Sequence, residues 1–269
     1  MYGLLLKKTF FDMWDNLFSV LAINLGFLLI FIVSIVVTEF SRGLVAIALS
    51  NTLPIFTILR HLIINSIFLS LIFIYLGAAC AFTKELTEKN KPGFGDFFRY
   101  LKTNAKGGCI FGFINAFLIF ILVASRQTYY NSVFGIFVFY LMLWLYFLWI
   151  ASSQYFFPLL TRFDKNVYKN IKKMLMLLLD NFGLTIIGLV IPGVIIMVLY
   201  PVTMFLAFGP ATLMLMYNIA LTFLLHRYEY LEENPEKNRK KIPWQQLLIE
   251  EEKKVGKRTL KGFFFPWKE

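Results

Sequence analysis

The sequence predicts an all-α, polytopic membrane protein with about six transmembrane helices, arranged as three units that each join an elbow helix to a helical hairpin. Three observations support this prediction: long apolar runs, a one-sided distribution of cations between them, and a threefold repeat of one amphipathic pattern. Of the 269 residues, 58% are hydrophobic and 16% are charged, and the mean hydropathy is +0.67. Soluble domains carry about a quarter charged residues, so this composition argues against a water-soluble core.

The apolar runs are long enough to cross a bilayer, because about 20 helical residues span its hydrocarbon core. Six runs qualify, at residues 17–38, 61–83, 108–125, 132–160, 183–203 and 207–226. They define a transmembrane domain over residues 1–226, and residues 227–269 form a charged, aromatic tail. The first run is longer than the apolar part of a signal peptide, and no small-residue cleavage site follows it, so it is expected to be retained as a span.

The cations set the orientation, because Lys and Arg collect on the cytoplasmic side of membrane proteins. If the N-terminus is inside, 24 of the 27 Lys and Arg residues fall in cytoplasmic segments, and three, Arg42, Arg60 and Arg126, fall outside. The sequence therefore predicts that both termini lie in the cytoplasm. The same bias accounts for the net charge of +11, so no nucleic-acid partner is expected.

Residues 43–60 are apolar enough to suggest a seventh span. A span there would move the basic segment 84–106 to the outside and break the charge pattern, and Pro54 interrupts the run. We expect instead a re-entrant or interfacial stretch at the outer face.

Before the first, third and fifth spans the sequence repeats one design, in which apolar residues recur at i, i+3, i+4 and i+7 and a polar pair accompanies them. The sets are Phe10, Met13, Trp14 and Leu17 with Asp15-Asn16; Phe94, Phe97, Phe98 and Leu101 with Thr103-Asn104; and Ile171, Met174, Leu175 and Leu178 with Asp180-Asn181. This spacing is typical of one apolar helix face, and Asp, Asn and Thr are good N-caps. The pattern predicts three elbow helices in the membrane interface, with their cations near lipid headgroups.

Several stretches resemble the YesL-like family of bacterial membrane proteins. They are residues 94–102 with Asn104, residues 156–164 with the basic helix and Asn181 that follow, residues 53–57, and, less specifically, residues 209–212. The resemblance covers about residues 1–230 and implies a multi-pass protein of the bacterial cytoplasmic (inner) membrane, of a family often associated with carbohydrate uptake systems. It implies no ligand, cofactor or activity. Residues 39–60 and the tail after about residue 230 depart from the family pattern.

The sequence offers no catalytic constellation. No ionisable residue lies within a predicted span, where such residues mark proton relays and substrate paths. No nucleophile, zinc or phosphate-loop motif is present, Cys80 and Cys109 have no partner motif, and both histidines lie at predicted membrane boundaries. We therefore expect no enzymatic activity, no cofactor and no metal.

Uncharged polar residues do occur within the predicted spans. The candidates are Asn24, Asn65, Asn115, Gln154 and Asn218, with Ser152 and Ser153 beside Gln154. Two interpretations stay open. The residues can hold helices together by hydrogen bonds, or they can line a path for an uncharged solute such as a sugar.

The end of the tail combines cations with aromatic residues: Lys253, Lys254, Lys257, Arg258, Lys261, Phe263, Phe264, Phe265 and Trp267. This combination is typical of segments that dock on anionic lipid headgroups. Docking in the groove of a partner protein and packing against the chain's own core are the alternatives.

These observations favour a non-enzymatic accessory or scaffold protein of the membrane, associated with a transport system and in contact with a membrane transporter partner. The alternative is a passive transporter or channel for a small uncharged or lipid-like solute. A membrane enzyme is the least favoured reading.

Overall fold

A computed structural model describes residues 1–48, 54–129, 133–163, 165–203, 207–236, 242–256 and 258. These residues are helical almost throughout and include no strand. The helices are α1 (Tyr2–Asp15), α2 (Leu17–Ala48), α3 (Pro54–Thr87), α4 (Phe94–Tyr129), α5 (Val133–Ser153), α6 (Phe156–Arg162), α7 (Val167–Asp180), α8 (Ile191–Val202), α9 (Pro210–Glu233), α10 (Trp244–Leu247) and α11 (Ile249–Val255), and a π-helical segment (Leu184–Val190) leads into α8.

Five helical stretches within the described residues are long and apolar enough to cross a membrane. They are Leu17–Glu39, Leu62–Thr87, Phe94–Val123, Val133–Arg162 and Leu184–Val202. The prediction of an all-α polytopic membrane protein is thereby confirmed, whereas the count of six spans is not.

The sixth predicted span, residues 207–226, corresponds to α9, which is a core helix. Nearly every residue from Pro210 to Leu224 is buried, and α9 contacts α1, α2, α3, α6 and α8. Its polar residues Thr212, Asn218 and Thr222 lower its hydropathy, yet each finds a hydrogen-bond partner inside the bundle. A helix enclosed by protein does not need the continuous apolar surface that lipid requires.

The turn between α8 and α9 contacts α2 near the start of that helix. The Asn24 side-chain oxygen accepts a hydrogen bond from the Ala211 backbone N–H (3.0 Å), and the Tyr200 hydroxyl donates to the Asn24 carbonyl (2.8 Å). Asn24 lies only about 10 Å along α2 from its first residue, and α2 continues to Ala48. We call the part of the bundle between the chain ends and this turn the near half. The part beyond the turn, built from α2, α3, α4 and α5, is the far half.

The first and third elbow helices are confirmed as separate helices, α1 and α7. The chain leaves helical geometry at Asn16 (φ −120°, ψ 31°) and at Asn181 (φ −127°, ψ 39°). At both bends the asparagine side chain donates back to a carbonyl four residues earlier, that of Asp12 (2.8 Å) or Leu177 (3.2 Å). The polar pairs therefore mark the joint between elbow and span, as the repeat predicts.

The second elbow prediction is wrong, because α4 runs unbroken from Phe94 through Thr103 and Asn104. Asn104 makes the same bond as the other two asparagines, from its side chain to the Tyr100 carbonyl (3.0 Å), but the backbone stays helical. The reason is the neighbouring helix. α3 extends to Thr87 and runs beside the first turns of α4, where Phe97 contacts the rings of Tyr75 and Phe82.

The described parts of residues 43–60 lie outside the candidate spans, and their re-entrant or interfacial placement stays a prediction. Residues 43–48 continue α2, and residues 54–60 form the first turns of α3. Pro54 does not interrupt a helix but begins one, at a position where its missing N–H has no intrahelical partner to lose. Residues 49–53 lie outside the described part of the chain.

Candidate functional site

The two ends of the chain meet in a buried ion network, which is the most specific polar feature of the near half. The Lys8 ammonium lies 3.1 Å from the Asp12 carboxylate and 3.3 Å from the Glu251 carboxylate. The exposed fractions of these three residues are 1%, 0% and 4%. Ions this deeply buried are stable only when they are paired with good geometry, so the network specifies how α11 sits on α1.

Local sequence places these groups. Lys8 and Asp12 are four residues apart on α1 and therefore share one face of the helix. α11 presents Glu251 to that face, and the apolar residues Leu248, just before α11, and Val255, at its end, are also buried. The Lys254 ammonium completes the pairing of Glu251 at 2.6 Å.

The network continues outward through Lys89 and Arg258. The Lys89 ammonium lies 2.8 Å from Asp12 and 3.9 Å from Asp15. Lys89 has a left-handed backbone (φ 63°) just after α3, a conformation common where helices end. The Arg258 guanidinium donates hydrogen bonds to both Asp15 carboxylate oxygens (2.8 and 3.0 Å). It also lies over the Phe11 ring, 4.7 Å from the ring centroid. The turn after α3 and the tail are thus both tied to α1.

Two carboxylates of the network, those of Asp15 and Glu251, are held in their charged form. The bidentate Arg258 bond outweighs partial burial and holds the pKa of Asp15 below its ordinary value of 3.8. Burial raises the pKa of Glu251, but the Lys254 hydrogen bond and the Lys8 charge outweigh it, so the pKa is lowered from 4.5. Asp15 and Glu251 therefore stay charged at neutral pH.

The described part of the tail packs on the chain's own core. Of the residues predicted to dock on lipid, Lys254 and Arg258 are engaged by Glu251 and Asp15, and Lys253 is exposed. The others lie outside the described residues: Lys257, Lys261, Phe263, Phe264, Phe265 and Trp267. Lipid docking by that final segment stays a prediction.

Sequence reasoning missed Lys8, Asp12 and Glu251 as a site. The available signal was weak: a charged i, i+4 pair within an otherwise apolar helix face, and an acidic run beside lysines in the tail. Neither feature indicates that the other exists, because 243 residues separate Lys8 from Glu251. Only the predicted placement of both termini on one side of the membrane made the contact feasible.

Three of the predicted polar residues bridge different pairs of elements. Asn24 joins α2 to the turn before α9, as described above. The Asn115 side-chain oxygen accepts from the Trp149 indole (3.1 Å), which joins α4 to α5. The Asn218 amide donates to the Cys80 carbonyl (2.9 Å) and the Thr83 hydroxyl (3.1 Å), which joins α9 to α3.

The other two polar residues lie apart from these. Gln154 is buried in the turn between α5 and α6, and Asn65 is exposed on the surface of α3 in the far half. The structure therefore does not bring the five residues together. Among the described residues, no group of three or more His, Cys, Asp or Glu side chains could hold a metal ion.

The fold and the ion network define an all-α polytopic membrane protein whose two ends form one joined structure. No family model matches the chain, and no significant similarity to a curated protein or a solved structure was found. The resemblance to the YesL-like family stays a prediction.

Proposed function

We propose that the protein is a non-enzymatic accessory or scaffold protein of the bacterial cytoplasmic membrane, which holds a partner from a transport system at its cytoplasmic face. The observation that supports this proposal is the buried ion network. It joins α1, the turn after α3 and the tail into a single surface, which we call the terminal platform.

The platform has the properties of a binding surface with a fixed shape. Buried ion pairs contribute little net stability compared with apolar packing, but they can specify one arrangement. Beside them lies a cavity of about 570 Å³ lined by Lys7, Ile249, Glu252, Lys253 and Gly256. Ile249 is exposed, and charged residues surround it in this cavity. Protein interfaces likewise have an apolar centre and a polar rim.

The third elbow helix, α7, supports a fixed position of the platform at the membrane. Its Met174 and Leu178 pack into the bundle, while Leu175 and Leu179 are exposed on a second apolar face. Its lysines, on the remaining surface, can contact headgroups and water. α7 therefore has one face that packs against the bundle, one that suits lipid and one that suits water. Such a helix holds the near half at the membrane–water interface.

The polar residues support a scaffold better than a conducting path. Asn24, Asn115 and Asn218 each bond to a different neighbouring element, so they contribute to helix packing. A path for a solute needs such groups along one continuous cavity.

Co-purification tests the proposal. A photocrosslinking residue at Lys253 should capture a membrane component of a transport system, and Ile249→Asp with Lys253→Glu should abolish its co-purification. Arg99→Glu, which changes an exposed cation outside the platform, is the matched control and should have no effect. Gradient-driven solute uptake by liposomes containing only this protein, lost on Asn115→Leu or Asn65→Leu, would overturn the proposal.

A further inference from the structure

The turn that joins α3 to α4 carries two adjacent residues of opposite charge, which contact different parts of the near half. The Lys89 ammonium lies 2.8 Å from the Asp12 carboxylate on α1. The carboxylate of the preceding residue, Glu88, lies 3.8 Å from the Arg162 guanidinium at the end of α6. The turn therefore links α1, on which the tail docks, to α6.

The backbone at Lys89 has a conformation that favours glycine, with φ 63°. The Lys89 N–H donates to the Leu86 carbonyl (3.1 Å), and the Asn90 N–H donates to the Glu85 carbonyl (2.9 Å). These two bonds form a Schellman motif, which usually has Gly at the left-handed position. Lysine is less favourable there, because its Cβ crowds the following carbonyl oxygen. Residues held in such conformations often have a functional role.

The side chain of Lys89 supplies an interaction that glycine cannot make. The Asp12 side chain is almost completely buried, and Lys89 is partly exposed, so Lys89 covers the ion network at its border with water. Asp12 also binds Lys8, and Lys8 binds Glu251 of the tail. Lys89 thus stabilises the carboxylate that holds Lys8 in place for the tail.

On the other side of the turn, Arg162 fixes α6 to two neighbouring helices. Its guanidinium donates to the Thr222 hydroxyl on α9 (2.9 Å) and lies beside Glu88 at the end of α3. Leu159 and Phe163, at either end of the last turn of α6, line a cavity of about 400 Å³ between α6, α7 and α9. A movement of Glu88 would therefore change the environment of α6 and of this cavity.

The tail can adopt two states, because its helices are short. α10 has four residues and α11 has seven, and helices of this length are not stable in water without packing against other groups. The tail is therefore helical when it is docked on α1 and unfolded when it is not, and the ion network sets the balance between the two states.

We propose that the Glu88–Lys89 turn is a conformational latch, which couples docking of the tail on α1 to the packing of α6 against α3 and α9. Undocking exposes Asp12 to water and weakens its bond to Lys89. The left-handed backbone then relaxes, and Glu88 moves away from Arg162. The coupling depends on contacts within this chain, so it holds whether or not a transport partner binds the terminal platform.

Hydrogen–deuterium exchange of the full-length protein in nanodiscs tests the Lys89 side of the latch. Lys89→Gly removes the ammonium, so the amides of residues 249–255 should exchange about tenfold faster. The thermal transition should stay the same or rise, because Gly relaxes the backbone. Lys89→Arg keeps the cation and should retain most of the protection. Lys91→Gly, which changes an exposed lysine of the same connection, is the matched control and should leave the exchange unchanged.

Two further variants test the coupling to α6. Glu251→Ala undocks the tail and should also speed the exchange of residues 156–162, which it does not contact, by about threefold, the size expected for the partly exposed Glu88–Arg162 pair. Glu88→Gln should speed the exchange of residues 156–162 and, since coupling is reciprocal, that of residues 249–255. The control is Glu85→Gln, which changes a carboxylate of the same turn that bonds to Asn90 and should have neither effect.

Three results would overturn the proposal. The first is unchanged protection of residues 249–255 in Lys89→Gly. The second is release of the tail by Glu251→Ala with no change at residues 156–162. The third is a lowered thermal transition in Lys89→Gly with faster exchange in every helix, which would show a general loss of stability instead of a latch.

Discussion

The near and far halves of the bundle are packed by different means. In the near half, α9 is enclosed by other helices, and residues such as Phe223 and Leu224 are completely buried. In the far half, α2 to α5 expose large apolar side chains, including Leu29 (65%) and Phe134 (75%). Among the described residues, the backbones of α3 and α4 approach closely there at Gly112, where an added Cβ would lie 2.5 Å from the Ser70 Cα.

The difference shows which solvent each half is built for. Exposing apolar side chains to lipid carries no free-energy penalty, because lipid tails are as apolar as the side chains. The far half can therefore stay open and still be stable. The near half includes surfaces that meet water and headgroups, so its buried charges are paired, while α7 and α8 still expose apolar residues such as Leu179 and Val198.

The largest expected effect comes from breaking the buried network. Asp12→Ala removes the shared partner of Lys8 and Lys89 and should destabilise the docked tail by about 3–5 kcal/mol, because it leaves the buried Lys8 with Glu251 alone, a carboxylate that Lys254 also pairs. Denaturant unfolding in detergent and proteolysis of residues 242–258 measure it. The matched control is Asp96→Ala, which removes an exposed pair with Arg99 and should cost about 0–1 kcal/mol. Equal effects of the two variants would refute the special role of the near half.

The close contact of α3 and α4 should also respond to a small change. Gly112→Ala places a methyl group against the Ser70 backbone and should cost about 1–3 kcal/mol through overpacking. Gly95→Ala, where an added Cβ meets open space, should change stability by at most about 1 kcal/mol, in the stabilising direction. Thermal unfolding compares the two, and a neutral Gly112→Ala would show that this contact can shift.

An asparagine that bridges two helices should contribute more to stability than an exposed one. Asn218→Leu removes the hydrogen bonds to Cys80 and Thr83 and should cost about 0.6–2 kcal/mol, the range for interhelical hydrogen bonds in membranes. Asn65→Leu changes an exposed far-half residue and should leave the thermal transition unchanged. A larger loss for Asn65→Leu would reverse the comparison.

The smallest expected effect at neutral pH concerns protonation of two network carboxylates, those of Asp15 and Glu251. The pKa values of Asp15 and Glu251 are lowered in the folded protein, so their ionised forms stabilise the docked tail at neutral pH. That contribution is lost only as the pH falls through the lowered values, below the ordinary 3.8 and 4.5. Protease access to residues 242–258 should therefore be constant from pH 8 to pH 5 and rise below about pH 4. In Asp15→Asn the rise should be smaller, and release near pH 6 would contradict the assignment.

The sequence by itself determined the class of the protein and much of its plan. Hydropathy located five spans, and the polar pairs at Asn16 and Asn181 located the elbow joints, because run length, periodicity and capping are local properties. The same local signal at Asn104 predicted a bend that is absent, since the neighbouring α3 keeps α4 straight.

Only the tertiary structure decided the roles of α9 and of Lys8 with Glu251. Residues 207–226 predict a span, and nothing in their composition reveals that other helices enclose α9. Lys8 and Glu251 pair because the fold brings the two ends of the chain together. Each of these depends on contacts between residues distant in sequence, and composition, periodicity and spacing carry no information about such contacts.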